Sequence, residues 1–235
     1  MHSSDRHPKE PSIDPLALSV EEDWLVLPPI FGPGVHARAT ANLFLPSDPP
    51  PRAGLSPKRA REFAAGRRCA ARALMDAGSR EVAVGVGAEK EPSWPAGFVG
   101  SITHSHARAG AAVGSASLLL GIGLDFEPLF DSDAMRDAAG VVMSEAERVL
   151  PADWPAQELA TLVFSAKESL YKCLNPLVRT FFEFADVEVV ELSSRGFFRV
   201  RLLRDLGALF GRGSLVEGRF AIAEGHVHTA IELRR

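Results

Sequence analysis

Apolar and polar positions fall into two rhythms along the chain. From residue 56 to 78 apolar residues recur at helical spacing, with Ser56 placed as N-cap, Pro57 at the first helical position and Gly78 as the stop. A Pro-rich loop over 43–57 delivers the chain to that helix. Short apolar runs follow, "EVAVGV", "GFVGSITHS", "AGAAVGS" and "SLLLGIGLDFE", and their alternation and turn residues predict three or four strands. The order then repeats in outline. Residues 132–150 and, more strongly, 153–176 read as helices, the second capped by Asp153, opened by Pro155 and closed by "NP". Four alternating runs, "ADVEVVEL", "FFRVRLL", "EGRFAIAE" and "HVHTAIEL", end the chain. Helix followed by strands, twice, predicts an α+β fold of two pseudo-symmetric halves, each with helices packed on a small, mostly antiparallel sheet. No direct sequence repeat accompanies the pattern. The expected division is a flexible N-terminal tail over 1–15, an N-terminal half over 16–118 and a C-terminal half over 119–235, with the junction near 116–122.

The run "GIGLDFEP" (121–128) poses a physical problem. Side chains two apart on a strand point the same way, so Asp125 and Glu127 form a close pair of negative charges on one face. Such a pair is unfavourable unless water, a proton or a cation relieves it. Oxygen-only ligands suit a hard cation, and two carboxylates rarely complete its shell. Glu168, in "FSAKESLYK", is the third candidate. Lys167 and Lys172 lie beside it, with Glu168 and Lys172 four apart on one helix face. Lysines next to a carboxylate–Mg²⁺ site fit a pyrophosphate ligand, in which the metal bridges oxygens and the amines neutralise the remaining charge. Taken singly, each feature has a plain alternative: a strand end meeting solvent, or an ordinary helix-surface ion pair.

Composition narrows the field. The 235 residues, 46% of them hydrophobic, suffice for one good-sized domain or two small ones. A formal net charge of −4 lacks the basic field of a nucleic-acid binder. Charge is locally uneven, however, since residues 56–72 hold six Lys/Arg against the single acid Glu62. Two cysteines, Cys69 and Cys173, do not make a disulfide framework and point to a reducing compartment. Without a secretory apolar segment near the start, or a later run long enough to span a membrane, the expectation is a soluble, cytoplasmic protein.

The basic helix gains meaning from "GFVGSITHSHARAG". His104 stands at the polar end of a strand, beside Thr103 and Ser105. With Lys58, Arg59, Arg61, Arg67 and Arg68 nearby, a phosphate-binding role competes with the plain reading of a surface histidine and a solvated charged face. Phe63, Ala70 and Leu74 supply that helix with a core stripe.

"GIGLDFE", followed some forty residues on by "FSAKESLYK", resembles the paired signature of the 4′-phosphopantetheinyl transferases. "KRAREFAAGRRCAARAL" and "EPSWPAGFVGSITHS" resemble two further blocks of that family, all four in the family's order over residues 58–176. The chain is similar to the long, surfactin-synthetase-activating type, and within it to the enterobactin-synthase component branch. The resemblance implies a monomer of two pseudo-symmetric halves with coenzyme A in the cleft between them. It implies transfer of the phosphopantetheine arm to a serine of an acyl, peptidyl or aryl carrier protein, releasing adenosine 3′,5′-bisphosphate. By the same resemblance, Asp125, Glu127 and Glu168 are ligands of Mg²⁺, with Mn²⁺ as a substitute. Glu168 is also the base for the carrier serine, directly or through water, and Lys172 contacts the pyrophosphate. Lys167 stays a cofactor-binding candidate by its place beside Glu168. Arg59, Arg67 and His104 match residues that hold the 3′-phosphate and neighbouring phosphates. Thr103 matches a hydroxyl position beside the histidine, and Lys90 lies where adenine and phosphate contacts occur.

The sequence departs from the family after "THS", where "HARAG" stands in place of Gly and an aromatic residue, with Arg108 near that place and His106 as an additional phosphate candidate. Two other readings use the same residues. A Mg²⁺-dependent hydrolase of nucleotide or coenzyme A pyrophosphates would cleave without any carrier. A non-catalytic module would bind coenzyme A or a carrier and do no chemistry. For carrier docking, Val141, Val142 and Met143 compete with plain helix packing.

Overall fold

The computed structural model describes residues 23–46, 48, 54–150 and 154–235; the expected tail over 1–15 and the expected cap Asp153 lie outside the described residues. The first helix, α1 (Pro57–Asp76), starts as its sequence dictates. Ser56 Oγ accepts the N–H of Arg59 at 3.2 Å, and Pro57 occupies a first-turn position where no N–H is needed. Past its end Gly78 adopts φ +79° and donates its N–H to the Met75 carbonyl, a backbone conformation that favours glycine.

The helix lies against a three-stranded antiparallel sheet in the order β1 (Val35–Ala41), β5 (Arg108–Ser115), β4 (Phe98–His104). Ala70, Ala73 and Leu74 meet Ala111 and Val113 there. Small residues let the helix approach closely, and a Cβ on Gly66 would come within 2.8 Å of Ile102. A two-stranded hairpin, β2 (Gly85–Val86) with β3 (Pro92–Ser93), stands beside it.

The second sheet has five antiparallel strands in the order β6 (Leu119–Pro128), β10 (His226–Arg234), β9 (Leu215–Ala223), β8 (Phe197–Leu202), β7 (Val187–Ser193). Across it packs α3 (Ala156–Val178), burying Leu162, Leu170 and Leu174 with Phe198, Val227 and Ile231. The two glycines of "GIGLDFE" exist for this contact. A Cβ on Gly123 would sit 1.9 Å from the Ser169 carbonyl oxygen, and one on Gly121 would sit 2.8 Å from that of Cys173. Four helical residues rise about 6 Å and two strand residues about 6.6 Å, so the periods match. Cys173 stands at Gly121 and Ser169 at Gly123, and one more step along the same line sets Ser165 against Asp125. The register of α3 on β6 therefore decides which helix residues meet the acidic strand end.

A third apolar group, Ile30, Ala112, Leu119, Ile122, Leu124 and Ala230, draws on both sheets. Ser101 of β4 accepts the N–H of Leu124 of β6 at 3.1 Å, holding β4 alongside β6. The result is an α+β fold of few helices on antiparallel sheets.

Some expectations need correction. The run 81–86 forms only the short β2, while Val82 and Val84 are buried against α1. Strand β1, in "VHARATA", was not expected. Residues 132–150 form not one helix but α2 (Ser132–Val141) and a 3₁₀ turn over Glu147–Val149. The break is fixed by side chains: Ser144 N–H donates to Glu147, Ser144 Oγ accepts the Glu147 N–H, and Lys167 takes the Val142 carbonyl. Pro176 does not end α3, which runs on to Val178 and closes with Arg179 in the left-handed region.

Candidate active site

Asp125 is the centre of the site. It is 1% exposed, yet three donors meet its carboxylate. Thr103 Oγ1 of β4 donates to Oδ1 at 2.9 Å, Lys172 Nζ of α3 donates to Oδ1 at 2.6 Å, and Ser165 Oγ donates to Oδ2 at 2.7 Å. Lys172 also donates to Thr103 Oγ1 at 2.8 Å. A buried carboxylate is tolerated only when paired and hydrogen-bonded, and here both conditions hold.

Glu127 and Glu168 add two further carboxyl groups to the field of this pair. Burial, reinforced by the charge of Asp125, pushes the Glu127 carboxyl up to about 8; Lys172 opposes this and Glu168 adds to it. Glu168 is also raised, first by burial, with Lys172 pulling it down and Asp125 pushing it up. The alternation on β6 thus places its two acids in one field, and the third acid shares it. Lys172 reaches Asp125 rather than resting against Glu168 as a plain surface pair.

Two hollows flank the other side of the site, and Arg59, Glu62 and His104 line both. The larger, of about 420 Å³, lies between α1, the β2–β3 hairpin, β4 and α3. Arg67, Lys90, Trp94, Tyr171, Lys172 and Glu168 line it. The smaller, of about 400 Å³, is bounded by Lys58, Ser105, His106 and Glu127. Arg59 contacts His104 Nε2 and lies 3.1 Å from Glu62 Oε2. His104 Nδ1 lies 3.7 Å from Glu62 Oε2 on the other side of the ring. Burial and Arg59 both hold the His104 pKa below its usual value, with Glu62 opposing them. Arg67 donates to the Gly85 carbonyl at 2.9 Å and lies 4.7 Å from the Phe63 ring centre, tying α1 to the hairpin. Lys90 is exposed on the hairpin turn at φ +69°.

Of the candidate residues, the structure brings Asp125, Glu127, Glu168, Lys172, Thr103, His104, Arg59, Arg67 and Lys90 to one region. Lys167 does not join them, which corrects the expectation that it serves coenzyme A. Its amine is 1% exposed and donates to Glu147 at 2.9 Å, to the Val142 carbonyl at 2.7 Å and to the Phe184 carbonyl at 3.1 Å. One position before Glu168, a helix has already turned about 100°, so neighbours cannot share a face. Arg68 is likewise bound in a buried ion pair with Asp48. Val142 and Met143 are buried in the core, so helix packing rather than docking accounts for them, while Val141 is exposed. Arg108 pairs with Glu224 at 3.2 Å. The sequence reading missed Glu62 as a site residue; its spacing of three from Arg59 and four from Lys58 was the available signal.

The donor set fits a divalent cation of the Mg²⁺ type. Three carboxylates supply oxygen ligands alone. Two of them, Glu127 and Glu168, have their charged forms disfavoured first by burial and then by the charge of Asp125, a cost that a cation would relieve. Among the described residues, no three His, Cys, Asp or Glu side chains already stand closed around a common metal position. No helix among the described residues is long and apolar enough to cross a membrane.

Comparison with known proteins agrees with this geometry. Residues 53–114 match the model of the 4′-phosphopantetheinyl transferase N-terminal domain, and residues 121–227 that of the 4′-phosphopantetheinyl transferase superfamily. The chain is 38% identical over 181 residues to 4′-phosphopantetheinyl transferase Svp of Streptomyces mobaraensis, covering 74% of this chain and 72% of that one. It is 34% identical over 198 residues to 4′-phosphopantetheinyl transferase PptT of Mycobacterium tuberculosis, covering 80% and 86%. Enterobactin synthase component D of Salmonella typhimurium is 37% identical over 123 residues, 52% of this chain and 50% of its own. With both segments matched in order and relatives aligned over most of their length, this chain belongs to the 4′-phosphopantetheinyl transferase superfamily.

Proposed function

We propose that this chain moves the 4′-phosphopantetheine arm of coenzyme A onto a carrier-protein serine using the acids and bases gathered at the end of β6 and on α3. The observation that carries the reading is the meeting of Asp125, Glu127, Glu168 and Lys172 beside the hollow lined by Arg59, Arg67 and His104. In this reading Asp125, Glu127 and Glu168 hold Mg²⁺, which when bound neutralises charge on the pyrophosphate oxygens. Arg59, Arg67 and His104 hold the 3′-phosphate and its neighbours, with Lys90 at the adenine end. Residues 16–118 supply this phosphate side and residues 119–235 the acidic side.

A serine hydroxyl is a poor nucleophile and needs a base. Glu168, whose carboxyl is raised by burial, accepts the serine proton, directly or through a water. The serine oxygen bonds to the phosphorus that bears the pantetheine arm. The pyrophosphate P–O bond on its far side breaks, and adenosine 3′,5′-bisphosphate leaves with the electron pair. Lys172 stabilises the growing negative charge. The reading makes the chain a monomer acting in the cytoplasm, and its two cysteines, Cys69 and Cys173, are buried in separate apolar cores, as thiols in a reducing compartment can be.

Calorimetric titration with coenzyme A and with its analogue lacking the 3′-phosphate tests the phosphate side. The wild type should bind coenzyme A at least about tenfold more tightly, as expected for a charge-assisted contact of roughly 1.5–3 kcal/mol. Arg59→Ala and His104→Ala should narrow that gap. Variants that weaken both ligands equally, or neither, would place the 3′-phosphate elsewhere.

A further inference from the structure

We propose that Thr229 and Ser165 form a buried hydroxyl pair that fixes the carboxylate of Asp125 in its ligating orientation, a role that rests on Asp125 being a metal ligand. Thr229 stands directly opposite Asp125 in the β6–β10 ladder, so both side chains emerge on the same face. Ser165 enters from α3 above them. All three residues are buried, Thr229 and Ser165 at 0% exposure.

The protons have one consistent arrangement at the carboxylate. The Ser165 and Thr229 hydroxyl oxygens lie 2.8 Å apart, and Ser165 Oγ lies 2.7 Å from Asp125 Oδ2. An ionised carboxylate only accepts, so the Ser165 proton points at Asp125. The Thr229 proton then goes to Ser165, either to its hydroxyl oxygen or to its carbonyl oxygen at 2.9 Å. In the first case Thr229 holds the Ser165 hydroxyl directly. In the second it holds the Ser165 backbone, with its own oxygen 2.8 Å from Oγ. In either case a Ser165 hydroxyl that turned away would leave its own buried O–H and Asp125 Oδ2 without that bond.

Thr103 and Lys172 fill the other side of the carboxylate, on Oδ1. Contacts on both oxygens leave the carboxylate little freedom to rotate. Ser165, Glu168 and Lys172 share one face of α3 at spacings of three and four. The Ser165 bond therefore also sets how far Glu168 stands from the strand acids. Ser165 lies within "FSAKESLYK", but Thr229 lies outside every motif read from the sequence, on the last strand. Only the ladder register reveals it.

Thr229→Val removes the hydroxyl while keeping a β-branched side chain of similar shape. Mn²⁺ binding to the protein with coenzyme A present, followed by loss of the free-ion electron paramagnetic resonance signal, reads the site without turnover. Removing a partner that orients a metal ligand typically costs about 10–100-fold in metal affinity. Thr229→Val should therefore need at least about tenfold more Mn²⁺ for half occupancy, while Thr229→Ser should stay near the wild type. Should Val at 229 prevent folding, Ser165→Ala deletes the proton that Asp125 Oδ2 accepts and carries the same expectation. Unchanged Mn²⁺ affinity in folded Thr229→Val or Ser165→Ala, even with lowered melting temperature, overturns the positioning role. Asp125→Asn separates the two claims: wild-type Mn²⁺ binding by that variant would overturn the metal reading itself.

Discussion

Lys172 reaches across from α3 to set its ammonium 2.6 Å from Asp125 Oδ1 on β6. The carboxylate is almost fully buried and the amine about a quarter exposed, so the pair joins the protein interior to the hollow beside it. Lys172→Met would remove both a counter-charge for Asp125 and a donor for developing phosphate charge. Removing one preorganised donor of this kind costs about 10²–10³ in kcat. Kinetics of carrier modification should show that loss in kcat, with a smaller change in KM for coenzyme A. A loss confined to KM would make Lys172 a ground-state contact only.

Lys167 is predicted to matter for stability rather than for coenzyme A. Breaking a buried ion pair by removing one partner costs about 3–5 kcal/mol, because the remaining charge is left uncompensated. Lys167→Met should destabilise the protein by that amount in chemical denaturation, and adding Glu147→Gln should recover part of the loss. A stable Lys167→Met protein with weakened coenzyme A binding would return Lys167 to the site.

The close approach of α3 to β6 is predicted to be unforgiving at Gly123. Its added Cβ would fall 1.9 Å from a backbone oxygen, which cannot swing aside as a side chain can. Gly123→Ala should cost at least about 1–3 kcal/mol of stability by overpacking. It should also weaken metal binding, since Ser165 and Glu168 ride on the same helix. A Gly123→Ala protein that melts like the wild type would contradict the contact.

His228 makes stability depend on pH. It is 3% exposed, and burial, with the charges of His226 and Arg108, lowers its pKa to about 4, against a pull upward from Glu224 and Asp125. The unfolded chain protonates this residue near its ordinary value of 6.5 while the folded protein does not. Its stability contribution is therefore intact above pH 6.5 and is lost as pH falls towards about 4, at a slope approaching about 1.4 kcal/mol per pH unit. Glu127 and Glu168, raised in the folded protein, contribute with the opposite sign, so the comparison with His228→Gln is the one to make. The stability difference between the two proteins should shift in favour of the variant as pH falls from 6.5 to 5. A difference independent of pH would mean that His228 titrates normally in the folded state.

What was legible in the sequence had local causes. The cap at Ser56 and Pro57 is set by neighbouring residues, and the shared face of Asp125 and Glu127 by strand periodicity. The spacing of Glu168 and Lys172 on one helix face made them candidates, and the structure brings both beside Asp125. What was not legible depended on contacts between distant segments. Strand β1 is a run of Ala alternating with His, Arg and Thr, and only pairing with β5 makes it a strand. Lys167 and Lys172 are chemically alike in sequence, and only the helix register sends one to Glu147 and the other to Asp125. Gly121 and Gly123 read as part of a motif, while their physical reason is the α3 backbone pressed against them. Residues 142–150 kept a helical pattern, yet Lys167, from twenty residues further on, fixes the break.

The most direct test of the central claim is the intact mass of an apo carrier protein after incubation with this protein, coenzyme A and Mg²⁺. The predicted result is a gain of one phosphopantetheine arm, abolished by EDTA and reduced at least about hundredfold in rate by Glu168→Gln, in keeping with the contribution of a positioned base. A carrier modified equally fast by Glu168→Gln, or with EDTA present, would contradict the roles given to these acids, and coenzyme A cleaved while carriers stay unmodified would contradict the transfer itself.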